Sequence, residues 1–170
     1  MTVDLKVERV ERRISPDEIS DAEWLRTQTV TDGDGQLQIA HSWRYSNADV
    51  ARYGATQVSQ WIMDDHRRLA DLGRGWWFVH LEAVAVVGVF AGDKRTGEVE
   101  VRSLGIGGVE SDASRDHYDD LAAEELSRLR DELQGYGLTM PADDDIPYVC
   151  TETGLVTGWD CGREGLRCPA

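Results

Sequence analysis

The sequence has no run of about 18 apolar residues, so none of its segments reads as a helix that spans a bilayer. Its first stretch, MTVDLKVERVERRIS, alternates charge with apolar residues and lacks the apolar centre of a secretory leader. No membrane association and a cytoplasmic location are the expectations. Basic residues are scarce: 18 Lys and Arg against 32 Asp and Glu give a net charge of −14. Binding nucleic acid directly requires basic side chains to displace phosphate counterions, and no basic cluster offers them. Cysteine is scarce too. Cys150, Cys161 and Cys168 all fall after residue 149, an odd number that makes no disulfide framework, and their spacing lacks the paired short knuckles of structural zinc. They are read as tail thiols, with metal ligation as the weaker candidate.

Several catalytic and binding patterns are missing as well. There is no Gly-x-Ser-x-Gly elbow and no His-Glu-x-x-His helix. TDGDGQ (Thr31–Gln36) looks like the start of a calcium loop. Counted from Asp32, however, its sixth position is Leu37 where Gly is required and its twelfth is Trp43 where Glu is required. It is read as a hairpin turn.

What is present fits one α+β domain: an antiparallel sheet with helices packed on one face, followed by a Cys-containing tail. Residues 2–14 alternate with a period of two and predict a half-buried strand. Ser15-Pro16-Asp17-Glu18 has the residue types of a helix start and predicts a short helix to Arg26. A hairpin over 28–45 and a helix from Ser46 to Leu72 come next. WWFVHLEAVAVVGVF (Trp76–Phe90) is rich in aromatic and β-branched residues and predicts a central strand, with Gly88 as a candidate bulge. Glu98–Leu104 alternates as its return strand. Ser114–Gln134 predicts a helix with Tyr118, Ala122, Leu126, Leu129 and Leu133 on one stripe. The organisation expected is a single domain over 1–138, made of an N-terminal strand, helix and hairpin (1–45) and a helix–hairpin–helix core (46–138). Residues 139–170 are linker and tail.

RSLGIGGVESDASRDHYDD (Arg102–Asp120) places a glycine turn between strand and helix, the arrangement that cradles phosphate in many proteins. A P-loop is excluded because no Lys or Arg follows before Arg115. RSLGIG (Arg102–Gly107) resembles the Arg/Gln-x-x-Gly-x-Gly/Ala signature of GCN5-related N-acetyltransferases. That resemblance implies coenzyme A-dependent acyl transfer, with the backbone of Gly105, Gly107 and Gly108 on the pyrophosphate. Against it stand Glu110, Asp112 and Asp116 at the start of the helix, where a like-charged ligand is repelled.

GWWFVHLEAVAVV, SLGIGGVESD and HYDDLAAEELSRLRDEL, taken together, resemble small uncharacterised proteins of actinobacterial phages and mobile elements. The likeness covers residues 75–133 and implies an accessory protein of that origin, without catalytic residues to carry over. The expected function is therefore a non-enzymatic, acidic interaction protein that needs no cofactor. Its partner is a host protein with a basic, nucleic-acid-binding surface, met by Glu110, Asp112, Asp116, Asp119, Asp120 and Glu124. Other polar groups read as solvated faces: Asp64, Asp65 and His66 on a helix, and His80 and Glu82 on a strand within reach of His117 or Glu100.

Overall fold

In the computed structural model, residues 3–17, 27–31, 37–41, 45, 47–69, 71–152 and 166–167 are described. The chain forms two compact units, Met1–Asp17 with Trp77–Ala170, and Glu18–Trp76.

The first unit is built on strand β4 (Phe78–Ala91), whose sequence FVHLEAVAVVGVFA has ten of its fourteen residues buried, with apolar side chains on both faces. β1 (Val3–Pro16) runs antiparallel along one edge of β4. β5 (Lys94–Arg102) and β6 (Ile106–Glu110) share the opposite edge, one after the other. β7 (Tyr148–Cys150) and β8 (Leu166–Arg167) extend the sheet beyond β1, and both pairings are parallel. The class is α+β as expected; the parallel strands make the sheet mixed.

One helix, designated α3 (Arg115–Gly135), covers a single face of this sheet. Ser114 caps it by accepting the His117 N–H at 3.3 Å. The expected stripe of Tyr118, Ala122, Leu126, Leu129 and Leu133 is buried in full. It packs against Ile14, Val79, Leu81, Ala83, Ala85 and Val87. Burying each large side chain contributes about 1.5–3 kcal/mol, so this contact holds the unit together. Residues 139–147 read as a linker by composition, yet they carry Ile146 into the same core before β7 begins.

Two local expectations fail for identifiable reasons. Ser15 and Pro16 do not open a helix; they finish β1, and the rest of that expected helix (18–26) lies outside the described residues. Pro16 is tolerated because its position points its missing N–H away from β4, at a strand end where no ladder bond is required. Gly88 is not itself the bulge. The register slips at Glu8 on β1, between Val7 opposite Val87 and Arg9 opposite Val86. A Cβ on Gly88 would lie 2.6 Å from the Glu8 carboxyl, so the glycine makes room for that side chain to reach Arg95 of β5 at 2.8 Å.

In the second unit, β2 (Thr27–Thr31) and β3 (Leu37–His41) form the expected hairpin, its turn (32–36) outside the described residues. The long helix is two, α1 (Asn47–Tyr53) and α2 (Ala55–Leu69), because Gly54 adopts φ 86° between them. Val58 and Ile62 of α2 are buried, with Tyr45 stacked on Trp61.

Candidate functional site

The glycine turn is the first place to look for a ligand. β5 stops at Arg102, and Ser103 continues along β4: its N–H donates to the Ala83 carbonyl and its hydroxyl accepts the Ala83 N–H, both at 2.9 Å. Gly105 then bends the chain at φ 73°, and Gly108 does so again at φ 71°. Between the bends the chain re-forms β6, so these glycines lie largely within a strand and not in a free loop before a helix.

Their amides have partners within the chain. The Gly105 N–H donates to Glu125 Oε2 at 2.9 Å, and the Gly108 N–H donates to Asp17 Oδ2 at 2.6 Å. Glu125 is 1% exposed, so solvent does not compete for it, and Arg128 closes the other carboxylate oxygen in a short ion pair. A Cβ on Gly107 would sit 2.5 Å from Asp17 Oδ2, and one on Gly105 would strike His80 Nε2 at 2.1 Å. The turn does attract anions, and the anions it holds are the chain's own carboxylates.

Glu125 was not among the residues singled out from sequence. Its signal was available: it stands seven residues after Tyr118 and four before Leu129, on the buried stripe. Asp17 carried the opposite signal, as part of an expected helix start.

The six carboxylates read as a contact surface separate into groups. Asp112, Asp116, Asp120 and Glu124 are exposed. Glu124 lies 3.7 Å from Arg128 and keeps two thirds of its side-chain surface in solvent. Glu110 is half-buried at the end of β6, where its backbone carbonyl accepts the Tyr118 hydroxyl at 3.1 Å. Asp119 is held inside a cluster: it accepts the Tyr148 hydroxyl at 2.7 Å and lies 3.4 Å from Arg12 and 3.3 Å from Arg115.

That cluster anchors β7. The guanidinium of Arg12 is 4.8 Å from the centre of the Tyr148 ring and that of Arg115 is 4.7 Å from it, both within cation–π range. Arg12 also donates to the Asp143 carbonyl at 2.8 Å. Burial, followed by the hydrogen bond to Asp119, raises the Tyr148 phenol above its ordinary pKa. Burial does the same at Tyr118.

The face of the sheet away from α3 is charged but not a free solvent surface. Glu82 is buried, accepting from Arg102 at 3.2 Å and lying 3.9 Å from Arg13. Glu100 accepts from Arg13 at 2.9 Å and pairs with Arg102, so it meets Glu82 only through shared arginines. The Arg13 hydrogen bond leads the effects that bring the Glu100 carboxyl down to about 2. His80 packs on Gly105, while His117 stands exposed at the start of α3. In the second unit Asp65 departs from the solvated reading: it is buried and accepts the Tyr45 hydroxyl at 3.0 Å.

Cys150 is buried against Ile14, Tyr118 and Tyr148, while Cys161 and Cys168 lie outside the described residues. Among the described residues no three His, Cys, Asp or Glu side chains converge as a metal site, and no helix is long and apolar enough to cross a membrane. Comparison of the chain with family models, curated proteins and solved structures returns no match.

Proposed function

We propose that the chain is a non-enzymatic interaction protein of phage or mobile-element type. In this reading it binds a host protein with a basic surface through the exposed carboxylates of Asp112, Asp116, Asp120 and Glu124. The support is the division of labour among its acids. Glu125, Asp17 and Asp119 are engaged in internal contacts, whereas Asp116, Asp120 and Glu124 face solvent along one side of α3. Asp116, Asp120 and Glu124 recur every four residues, about 6 Å apart along the axis. An array of that kind on a chain of charge −14 steers cationic partners towards it and repels nucleic acid.

Capture from actinobacterial lysate at low and high salt tests the reading. The wild type is compared with Asp116→Lys/Asp120→Lys/Glu124→Lys and with a control that reverses three exposed acids elsewhere, Asp93, Asp145 and Glu152. The expected result is a partner retained at low salt by wild type and control and lost by the α3 variant. The same proteins captured by all three chains would reduce the effect to net charge and remove the proposed surface.

A further inference from the structure

β4 pairs with β1 along its whole length, but on the other edge of β1 β7 engages only Arg12–Ile14. Among the described residues, no strand pairs with that edge from Val3 to Val10. The groups it presents follow from the alternation of an antiparallel ladder. The Ala83 carbonyl is used by Ser103 on the β5 side, so Gly88 and Phe90, of the opposite parity, face β1. Their partners there are Lys6 and Asp4. The backbone groups of Val3, Leu5 and Val7 therefore point outward. Their side chains share the face of Val87 and α3, and beyond the helix Val3 remains 60% and Leu5 45% exposed. A long, unpaired edge with apolar side chains is a template for another strand.

We propose that this edge pairs antiparallel with the same edge of a second copy of the chain, across a two-fold axis at Leu5. Leu5 then opposes Leu5, and Val3 opposes Val7 in each half, each pair exchanging backbone hydrogen bonds through its outward groups. On the other face Asp4 opposes Lys6 twice. Moving the axis to Lys6 would oppose Lys6 to itself and Asp4 to Glu8, both repulsive. The register is thus selected by charge as well as by apolar contact.

Charge also selects the occupant. β1 carries Lys6, Arg9, Arg12 and Arg13 against Asp4, Glu8 and Glu11, so 4 − 3 leaves it at +1 in a chain of −14. Two acidic copies repel each other least along this strand. An open groove of about 340 Å³, lined by Val7, Glu8, Arg9, Thr139, Met140 and Pro141, lies beside Val7, where Val3 of the second copy arrives.

Sedimentation equilibrium of the full chain over a concentration series, in about 0.15 M salt, tests the proposal. The wild type is expected to dimerise. D4K and K6D should each weaken the dimer about ten-fold, because each places like charges opposite one another twice. D4K/K6D should return it to near the wild-type affinity, since the exchanged charges again face their opposites. Circular dichroism checks that these exposed substitutions leave the fold intact. A wild type that stays monomeric throughout overturns the proposal. So does a dimer unaffected by the single changes, or a double variant no stronger than the singles.

Discussion

Gly105 and Glu125 are joined by a hydrogen bond of 2.9 Å from the glycine N–H to a carboxylate that is 1% exposed. The bond ties the bend between β5 and β6 to the middle of α3, and it occupies the amide that a phosphate-binding reading of the turn requires. A partly buried donor left without its partner costs about 1–3 kcal/mol, whereas the half-exposed Arg128 is rehydrated when its carboxylate is removed.

Glu125→Ala should therefore lower the free energy of unfolding by about 2–3 kcal/mol. Glu125→Gln keeps an acceptor for Gly105 and should cost about 1 kcal/mol. Glu124→Ala, one residue away but in solvent, should stay within about 0.5 kcal/mol of wild type. Urea titration of the three variants measures this ordering. Equal midpoints for the 124 and 125 alanine variants would show that the carboxylate does not hold the turn.

Gly105→Ala meets two obstacles, a φ of 73° and His80 Nε2 at 2.1 Å from the new Cβ. The left-handed backbone alone costs about 1–2 kcal/mol, and the imidazole must also move. A loss above about 2 kcal/mol is expected. His80→Ala in the same chain should relieve the clash and leave the backbone part. Gly97→Ala, with no neighbour within 4 Å of its Cβ, serves as the control and should be close to neutral. A Gly105→Ala protein as stable as wild type would contradict the geometry of the bend.

Glu100 gives the fold a sensitivity to acid. Its carboxyl titrates near 2 in the folded chain and near the reference 4.5 when unfolded, chiefly through Arg13 and then Arg102. A depressed folded value means that the unfolded chain takes up the proton first. The stabilisation is complete above about 4.5 and disappears as pH falls towards 2. The side chain is one third exposed, so solvent screening keeps the contribution below about 1 kcal/mol. Stability measured between pH 6 and pH 2.5 should fall less steeply for Glu100→Gln than for wild type. Parallel curves would mean that the arginines do not hold the carboxylate.

Calorimetry with acetyl-coenzyme A should give no binding heat, because Glu125 and Asp17 already occupy the Gly105 and Gly108 amides. Tight binding that a bulky substitution at Gly107 abolishes would restore the acyltransferase reading of RSLGIG.

Period and composition made much of the fold legible. Alternation marked β1, β-branched and aromatic residues marked β4, and a stripe at helical spacing marked α3 up to its Ser114 cap. What escaped depended on partners distant in sequence. Ser15-Pro16 has the local chemistry of a helix start, but pairing with His80 and Val79 overrides it. Glu125 sits on the apolar stripe, and a charge is ordinarily assigned to solvent; its burial is matched by Gly105, twenty residues earlier, together with Arg128 one turn on. The acids at the start of α3 look alike in sequence. Asp119 separates from the others because Arg12 and Tyr148, from opposite ends of the chain, converge on it.

The sheet's connectivity also sets a timetable. β1 leaves the ribosome well before its partners: β4 begins only at Phe78 and β7 only at Tyr148. At elongation speeds of about 5–20 residues per second, the strand waits on the order of several seconds with neither side satisfied. During that interval nascent chains on neighbouring ribosomes expose the same sticky ribbon. Crowding on a polysome, more than the finished protein, is then where this sequence is most prone to misassembly.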